Sequence, residues 1–150
     1  MEKLIFLLGL GSNLGDKEKN LDLAISLLKK QVGNITEQSK IYVSKPHGFN
    51  SKNDFLNCCL KIETDLTPKK LLRKLKTIER KMGRAYQKKN IYEDRIIDID
   101  IILGQSKFTS AELQIPHPKY REREFVLCPL GDLTAMKDPM TFLLSSQLNY

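Results

Sequence analysis

The sequence has no apolar stretch long enough to cross a membrane and no cysteine spacing typical of a disulfide framework or a zinc site. The longest uncharged apolar run, Leu4–Leu10, is far shorter than the roughly 20 residues that a membrane-spanning helix needs. The three cysteines, Cys58, Cys59 and Cys128, contain no CxxC pair. The first residues also lack the charged, apolar and small-residue layout of a signal peptide. We therefore expect a cytoplasmic protein that has reduced, buried thiols and no association with a membrane.

Acidic residues are scarce relative to basic ones: 18 aspartates and glutamates stand against 25 lysines and arginines, a net charge of +7. Such a charge favours an anionic partner, either a nucleic acid or a phosphorylated small molecule. Aromatic residues are also few, at 7% of the chain, and the segment Asp54–Ile62 offers only Phe55. An RNA-recognition domain carries an aromatic run on the corresponding strand. We therefore expect no nucleic-acid partner.

The length of 150 residues fits one domain. No repeat or linker divides the chain, so we expect residues 1–150 to form a single domain. The apolar pattern predicts a strand over Lys3–Leu10, a helix from about Asn20 to before Gly33, a strand around Ile35–Val43, a strand over Phe55–Thr64, a helix from a Thr67 cap to Gly83, and a strand over Ile96–Leu103.

This order of elements matches the ferredoxin-like βαββαβ fold of the α+β class. In that fold the helices cover one face of an antiparallel sheet, so the other face is free for an active site. The residues from Pro116 onward predict a short irregular and helical C-terminal extension.

Two aspartates interrupt the isoleucine-rich last strand. Asp98 and Asp100 are two residues apart, so both side chains project to one side while the neighbouring isoleucines project to the other. Two like charges on one strand face repel each other unless cations compensate them. The structural alternative is a half-exposed pair, or one aspartate bound to Arg95. The functional interpretation is a Mg²⁺ site, which implies a phosphate-bearing substrate because Mg²⁺ favours carboxylates, waters and substrate phosphates together.

A glycine-rich turn, Gly9–Gly15, follows the first strand but carries neither the dinucleotide fingerprint nor a P-loop. We interpret it as a strand-to-helix turn in which Asp16 and Asn20 are candidate helix caps. Any ATP then has to be held by metal ions, arginines and loops. Arg84, Arg95 and Arg123 are the candidates for this role, because they lie in predicted loops and a guanidinium matches phosphate oxygens.

Six short motifs follow one another between Gly11 and about Leu130. They are Gly11-Ser12-Asn13-Leu14-Gly15, Tyr42-x-Ser44-x-Pro46-x-Gly48, Asp54-Phe55-Leu56-Asn57, Ile78-Glu79 with Gly83-Arg84, Arg95-x-x-Asp98-x-Asp100, and Pro116-His117-Pro118 leading to Arg123-x-Phe125-Val126-Leu127-x-Pro129-Leu130. In this order they resemble the 6-hydroxymethyl-7,8-dihydropterin pyrophosphokinases of folate biosynthesis, over nearly the whole chain.

The resemblance implies the same ferredoxin-like fold, ATP as co-substrate and two Mg²⁺ ions. It further implies a reaction that moves the β,γ-diphosphate of ATP onto the pterin hydroxymethyl group and releases AMP. We expect a monomer. The residues that it assigns are Asp98 and Asp100 to the metal, Arg84 and Arg95 to catalysis, Glu79, Tyr92, Ile101, His117 and Arg123 to the nucleotide, and Ser44, Pro46, Phe55, Asn57 and Phe125 to the pterin.

Four residues depart from the family pattern. Tyr86 stands where the family often has a second arginine, and Tyr92 where tryptophan is usual. Lys45 and His47 replace more apolar residues beside the expected pterin site. The segment Arg84–Arg95 has few apolar residues, so we expect it to close over the bound phosphates. A catalytically silent regulatory domain is the remaining alternative, and the intact aspartate pair disfavours it.

Overall fold

Residues 3–46, 49–84 and 93–133 are described in the computed structural model of this chain. In these ranges the backbone forms seven strands, three α-helices and one 3-10 turn. They are β1 (Leu4–Ser12), α1 (Lys17–Gln31), β2 (Gly33–Gln38), β3 (Tyr42–Ser44), β4 (Phe55–Thr64), α2 (Pro68–Lys81), β5 (Asp98–Gly104), β6 (Phe108–Thr109), β7 (Gln114–Ile115), the 3-10 turn Tyr120–Glu122 and α3 (Glu124–Leu130).

Five of the strands form one antiparallel sheet in the order β2-β4-β1-β5, and β3 pairs with β4 beyond β2. This is the strand order of the ferredoxin-like βαββαβ fold, so the predicted fold class is confirmed. The predicted second strand is split into β2 and β3. Ser39 lies at the break, where its hydroxyl accepts a hydrogen bond of 2.8 Å from the Cys59 N–H in place of a strand carbonyl.

The alternation of side chains along the strands builds two apolar clusters. Helices α1 and α2 pack on one face of the sheet, where the strands contribute buried residues such as Leu8, Leu60 and Ile99. The opposite face carries a smaller cluster under α3, which includes Leu7 and Ile102. The prediction of helices on one face therefore holds for α1 and α2, while α3 covers part of the face that we expected to be open.

Local capping explains where the two long helices begin. The Asp16 carboxylate accepts a hydrogen bond from the Lys19 N–H at 3.2 Å, so α1 starts three residues before the predicted Asn20. Helix α2 begins as predicted, with Thr67 as its cap and Pro68 in the first position. It stops before Gly83, whose φ of +99° suits a residue without a Cβ.

Helix α3 is fastened to the edge of the sheet by one carboxylate. Asp132, just beyond α3, accepts hydrogen bonds from the Tyr42 hydroxyl at 2.9 Å and from the Lys40 N–H at 3.0 Å. The β6–β7 hairpin lies between β5 and this C-terminal extension, and the sequence pattern did not predict it. Residues 134–150, like Tyr86, Tyr92 and His47, lie outside the described residues.

The cysteines only partly follow the expectation of buried thiols. All three are free; Cys58 and Cys59 are buried within β4, and burial raises the pKa of both thiols above the ordinary value. The expectation is wrong for Cys128, which is exposed because α3 turns other positions, such as Val126 and Leu130, toward the sheet. In the described ranges, no helix has the length and apolar character needed to cross a membrane.

Candidate active site

A depression on the α3 side of the sheet, here the central cavity, is lined by strand residues and by the start of α3. Its principal side chains are those of Ser44, Phe55, Asn57, Arg95, Asp98, Asp100, Arg123 and Phe125. The pleat explains why these residues meet, because Ser44 pairs with Phe55 and the two aspartates lie opposite Gly11 and Gly9 of β1. The cavity thus joins an aromatic region to an acidic one.

The amide of Asn57 is fixed in the floor of the central cavity. Its Nδ2 donates to the Ser44 hydroxyl at 2.8 Å and to the Tyr42 carbonyl at 3.2 Å. A Cβ at Gly11 would lie 3.2 Å from the Asn57 Oδ1, so a side chain there would push this amide by a few tenths of an ångström. A fixed amide beside open space can recognise a polar edge of a flat ligand.

Cations flank the aromatic walls of the central cavity. Phe49 and Phe55 contact each other edge to face, with ring centroids 6.4 Å apart. The Arg95 guanidinium carbon lies 6.0 and 5.8 Å from these two centroids, and that of Arg123 lies 5.6 Å from the Phe125 ring. The aromatic region therefore continues directly into positive charge, as a ligand with a flat ring and a phosphate would require.

The aspartate pair faces the central cavity from β5. The Asp98 carboxylate accepts a hydrogen bond of 2.7 Å from Arg84 and lies 3.5 Å from an Arg95 nitrogen. Asp100 has a pKa well above its usual value, because burial, then Asp98, then Glu79 disfavour its charge more than the arginines favour it. In the described ranges no group of three or more histidine, cysteine or acidic residues is arranged to hold a metal. A carboxylate pair in which Asp100 lacks sufficient counter-charge fits a Mg²⁺ ion that completes its shell with water and phosphate.

Glu79 supports the acidic region from α2 and is itself buried, at 3% exposure. Its carboxylate accepts hydrogen bonds from the Ile99 N–H at 2.8 Å and from Arg84 at 2.7 Å. Burial raises the pKa of Glu79 to about 7, although Arg84 opposes that shift. Glu79 lines neither cavity, and its carboxylate holds β5 and Arg84 through these hydrogen bonds.

A second depression, here the edge cavity, lies between α2, β5 and the β6–β7 hairpin. It is lined by Leu72, Lys76, Ile99, Asp100, Ile101, Ser110, Ala111, Glu112, Leu113, Gln114, His117 and Pro118. Asp100 lines both cavities. A ligand in each cavity can therefore meet the other beside this carboxylate.

His117 is held in the wall of the edge cavity as a neutral imidazole. Its backbone N–H donates to the Ile102 carbonyl at 2.8 Å, and its Nδ1 accepts from the Lys119 N–H at 3.1 Å. Burial, and then the nearby Arg123, lower the pKa of His117 to about 4. An uncharged ring in this place suits contact with a neutral group such as a nucleobase.

Arg123 carries an unsatisfied donor. Its Nε is buried and has no hydrogen-bond partner among the residues that the structure describes. A buried cationic donor costs free energy until an acceptor is supplied. The Nε of Arg123 thus fits a phosphate oxygen delivered by a ligand.

Comparison with known proteins assigns the chain to a family. A family model described as 7,8-dihydro-6-hydroxymethylpterin-pyrophosphokinase (HPPK) matches residues 7–135. The chain belongs to the HPPK family. The 2-amino-4-hydroxy-6-hydroxymethyldihydropteridine pyrophosphokinase of Porphyromonas gingivalis is 41% identical over 139 residues, 90% of this chain and 94% of that protein. The Bacillus subtilis protein of the same name is 36% identical over 128 residues, 84% of this chain and 75% of that protein.

Solved structures of HPPK-DHPS proteins share the fold. A crystal structure of HPPK-DHPS in complex with substrates has a TM-score of 0.75 and 17% identity, covering 99% of this chain and 43% of that chain. The wild-type Plasmodium falciparum HPPK-DHPS has a TM-score of 0.74 and 16% identity, covering 97% of this chain and 44% of its own. At this identity the likeness supports the α+β HPPK fold alone.

The structure brings most of the residues that the family resemblance predicted into the two cavities. Ile101 and His117 lie in the edge cavity, while Arg84 lies beside the aspartates rather than in either lining. Lys45, and not its neighbour Pro46, lines the central cavity. Tyr92 lies outside the described residues, and the ligand roles of the whole set stay predictions.

Sequence reasoning missed Phe49 and most of the wall of the edge cavity. Phe49 lies in a loop composition with no periodic signal, and the hairpin that supplies Ser110–Gln114 has strands of only two residues. The one available signal was the helical periodicity of α2, which places Leu72 and Lys76 one turn apart on a helix that packs next to β5.

Proposed function

We propose that this chain transfers the β,γ-diphosphate of ATP to the hydroxymethyl group of 6-hydroxymethyl-7,8-dihydropterin, giving the pterin diphosphate and AMP in folate biosynthesis. The observation that carries the proposal is the pair Asp98 and Asp100 between an aromatic cavity and an edge cavity, with Asp100 lining both. Membership of the HPPK family supports the same reaction.

The pterin occupies the central cavity in this proposal. Phe55 and Phe125 supply faces for a flat heteroaromatic ring, and the Asn57 amide, held by Ser44, meets its polar edge. Pro46 follows Ser44 directly and stays a predicted neighbour of the ring.

ATP occupies the edge cavity, with its phosphates directed toward Asp100. Ile101 and the neutral His117 contact the adenosine portion. The phosphates reach past Asp100 toward the central cavity, where the unsatisfied Nε of Arg123 binds a phosphate oxygen. Glu79 acts on the nucleotide indirectly, because its carboxylate holds Arg84. Tyr92 stays a predicted nucleotide residue on the basis of the resemblance.

Asp98 and Asp100 hold two Mg²⁺ ions in this proposal. The aspartates fit such ions because Asp100 lacks sufficient compensating charge in the protein itself. When bound, the metal ions would neutralise phosphate charge and orient the β-phosphorus for attack.

The protein residues then contribute positioning and charge. The pterin hydroxyl oxygen forms a bond to the β-phosphorus of ATP, the bond from that phosphorus to the α,β-bridging oxygen breaks, and AMP leaves as the hydroxyl proton is released. Arg84, now bound to Asp98 at 2.7 Å, and Arg95, 3.5 Å from the same carboxylate, stand where they stabilise the transferred phosphates.

We also propose that residues 1–150 act as one domain, as a monomer, in the cytoplasm. The three free thiols agree with a reducing compartment.

The direct test is an incubation of the protein with ATP, Mg²⁺ and the dihydropterin alcohol, with the products separated by chromatography. We expect AMP and the pterin diphosphate in equal amounts, and neither product when Mg²⁺ is chelated. ADP with a pterin monophosphate, or no pterin-dependent product, would overturn the proposed reaction.

A further inference from the structure

Asn13 is a buried polar residue outside both cavities. It lies directly after β1 and is 1% exposed. Its Oδ1 accepts a hydrogen bond of 2.7 Å from the Arg95 N–H, and its own N–H donates to the Arg95 carbonyl at 3.1 Å. The backbone of Arg95 is thus held on both sides by one residue.

The other end of the Asn13 amide joins two further segments. Its Nδ2 donates to the Asp94 carboxylate at 2.8 Å and to the Asn53 carbonyl at 3.3 Å. The second oxygen of Asp94 accepts from the Asn53 Nδ2 at 2.8 Å. Three segments that are distant in the sequence therefore meet at one amide, and each of its polar atoms has a partner.

The segments that meet at Asn13 carry both kinds of ligand contact. Phe55, two residues after Asn53, lines the central cavity, and Phe49 lies on the same loop. Arg95 places its guanidinium against these two rings and near Asp98. A shift of the Arg95 backbone would move that charge relative to both the ring site and the aspartates.

We propose that Asn13 is a positioning residue that fixes Arg95 between the aromatic wall and the aspartate pair and links the pterin-facing loop to the phosphate-facing arginine. The role in transfer rests on the proposed function, whereas the clamp on Arg95 is independent of it.

Exchanging the two side chains, with Asn13→Asp and Asp94→Asn in one chain, distinguishes a positioning role of Asn13 from a general loss of stability. In Asn13→Asp, two carboxylates face each other and the Asp94 Oδ1 loses the donor that Asn13 supplied, so the clamp should open. Adding Asp94→Asn returns a donor: the new amide can donate to the new carboxylate and still accept from the Asn53 Nδ2. The net charge is then that of the original chain, and the Arg95 N–H regains an acceptor. Because the contact with the Asn53 carbonyl is not restored, we expect partial rescue.

The first measurement is amide hydrogen exchange at Arg95, followed by NMR without ligands. We expect exchange about tenfold faster in Asn13→Ala and Asn13→Asp, and a return toward the original rate in the double variant. Asn20→Ala is the matched control, because Asn20 bonds to Ser12 and Leu14 in the same turn but not to residues 93–95. An unchanged Arg95 rate in Asn13→Ala, or equal acceleration in Asn20→Ala, would overturn the clamp.

The second measurement is steady-state kinetics on the same variants. We expect kcat to fall about 100-fold in Asn13→Asp while KM for ATP changes less than about threefold, since misplacing a catalytic group by about 1 Å costs that much. The double variant should recover at least tenfold in kcat. Equal loss in the single and double variants would overturn the positioning role. An original chain without transfer activity, but with the expected exchange pattern, would refute the proposed function and leave the clamp standing.

Discussion

The central cavity and the edge cavity share Asp100 but are built differently. The central cavity takes its lining mainly from paired strands and from the start of α3, so the pleat dictates where Phe55 and Asn57 point. The edge cavity combines one face of α2, the margin of β5, a hairpin with two-residue strands and His117. One site is thus set by regular pairing, and the other by the packing of several short segments.

This difference predicts different behaviour toward ligands. Strand residues that are buried and hydrogen-bonded, such as Asn57, hold their positions before a ligand arrives. The edge cavity depends on contacts between segments, so substitutions there should affect nucleotide binding while leaving the pterin site intact. The two sites should respond together only where they share a residue.

The largest effect is expected at that shared residue. Asp100→Asn should lower turnover about 1,000-fold, because it removes a proposed metal ligand while keeping the side-chain shape. The fold should be at least as stable near neutral pH, since burial beside Asp98 disfavours the charge of Asp100. Activity across a Mg²⁺ titration and thermal unfolding measure the two expectations. Asp22→Asn, on the exposed surface of α1, is the control; turnover near that of the control would refute the metal assignment.

A smaller and selective effect is expected at the central cavity. Phe125→Ala should weaken pterin binding roughly tenfold, because it removes an aromatic face in addition to contact area. ATP binding should change less than about twofold. Calorimetric titration with each ligand separately measures both values, and equal losses for the two ligands would assign Phe125 to the core instead.

The converse selectivity is expected at the edge cavity. His117→Gln should weaken ATP binding about fivefold and leave pterin binding unchanged, since in the proposed arrangement only the nucleotide contacts this wall. Because the pKa of His117 is lowered to about 4, the ring stays neutral between pH 6 and 8. Titrations across that range should therefore show the same pH dependence of ATP affinity in the original chain and in His117→Gln. A difference in that pH dependence, or a loss of pterin binding in His117→Gln, would contradict the separate roles of the two cavities.

The smallest effect is expected at Glu79 and concerns the pH dependence of the stability of the fold. The pKa of Glu79 is raised to about 7, so the folded chain binds this proton more tightly than the unfolded chain does. Its contribution to the free energy of unfolding is present below about pH 4.5 and is lost as the pH rises through about 7. Glu79→Gln should flatten the pH dependence of stability in this window, as denaturant titrations would show. The exposed Glu18→Gln should not, and identical curves for both variants would contradict the buried position of Glu79.

The sequence predicted the parts of the molecule that depend on local periodicity. The period of two along β5 placed Asp98 and Asp100 on one face, and capping chemistry placed the start of α2. The break at Ser39 escaped prediction because it involves a hydrogen bond from the Cys59 N–H to the Ser39 hydroxyl, a contact between residues 20 positions apart.

The sequence predicted less of the contacts between distant segments. Asn13 belongs to the first of the six motifs, but nothing in the sequence indicated that its amide bonds to Asn53 and Asp94, which lie 40 and 81 positions away. The exposed side of α3 likewise depends on how Asp132 fastens that helix to Tyr42. Such contacts follow from tertiary packing, which no single stretch of sequence encodes.

The central claim is that both substrates bind beside the Asp98 and Asp100 pair. The most direct test of this claim is paramagnetic relaxation with Mn²⁺ in place of Mg²⁺. The sample contains the protein, the dihydropterin alcohol and α,β-methylene ATP, which cannot be cleaved at the reacting bond. We expect Mn²⁺ to enhance the relaxation of both the phosphorus nuclei and the pterin hydroxymethyl protons, and we expect Asp100→Asn to remove both effects. Enhancement at phosphorus alone, or enhancement that persists in Asp100→Asn, would contradict the arrangement of both substrates around Asp98 and Asp100.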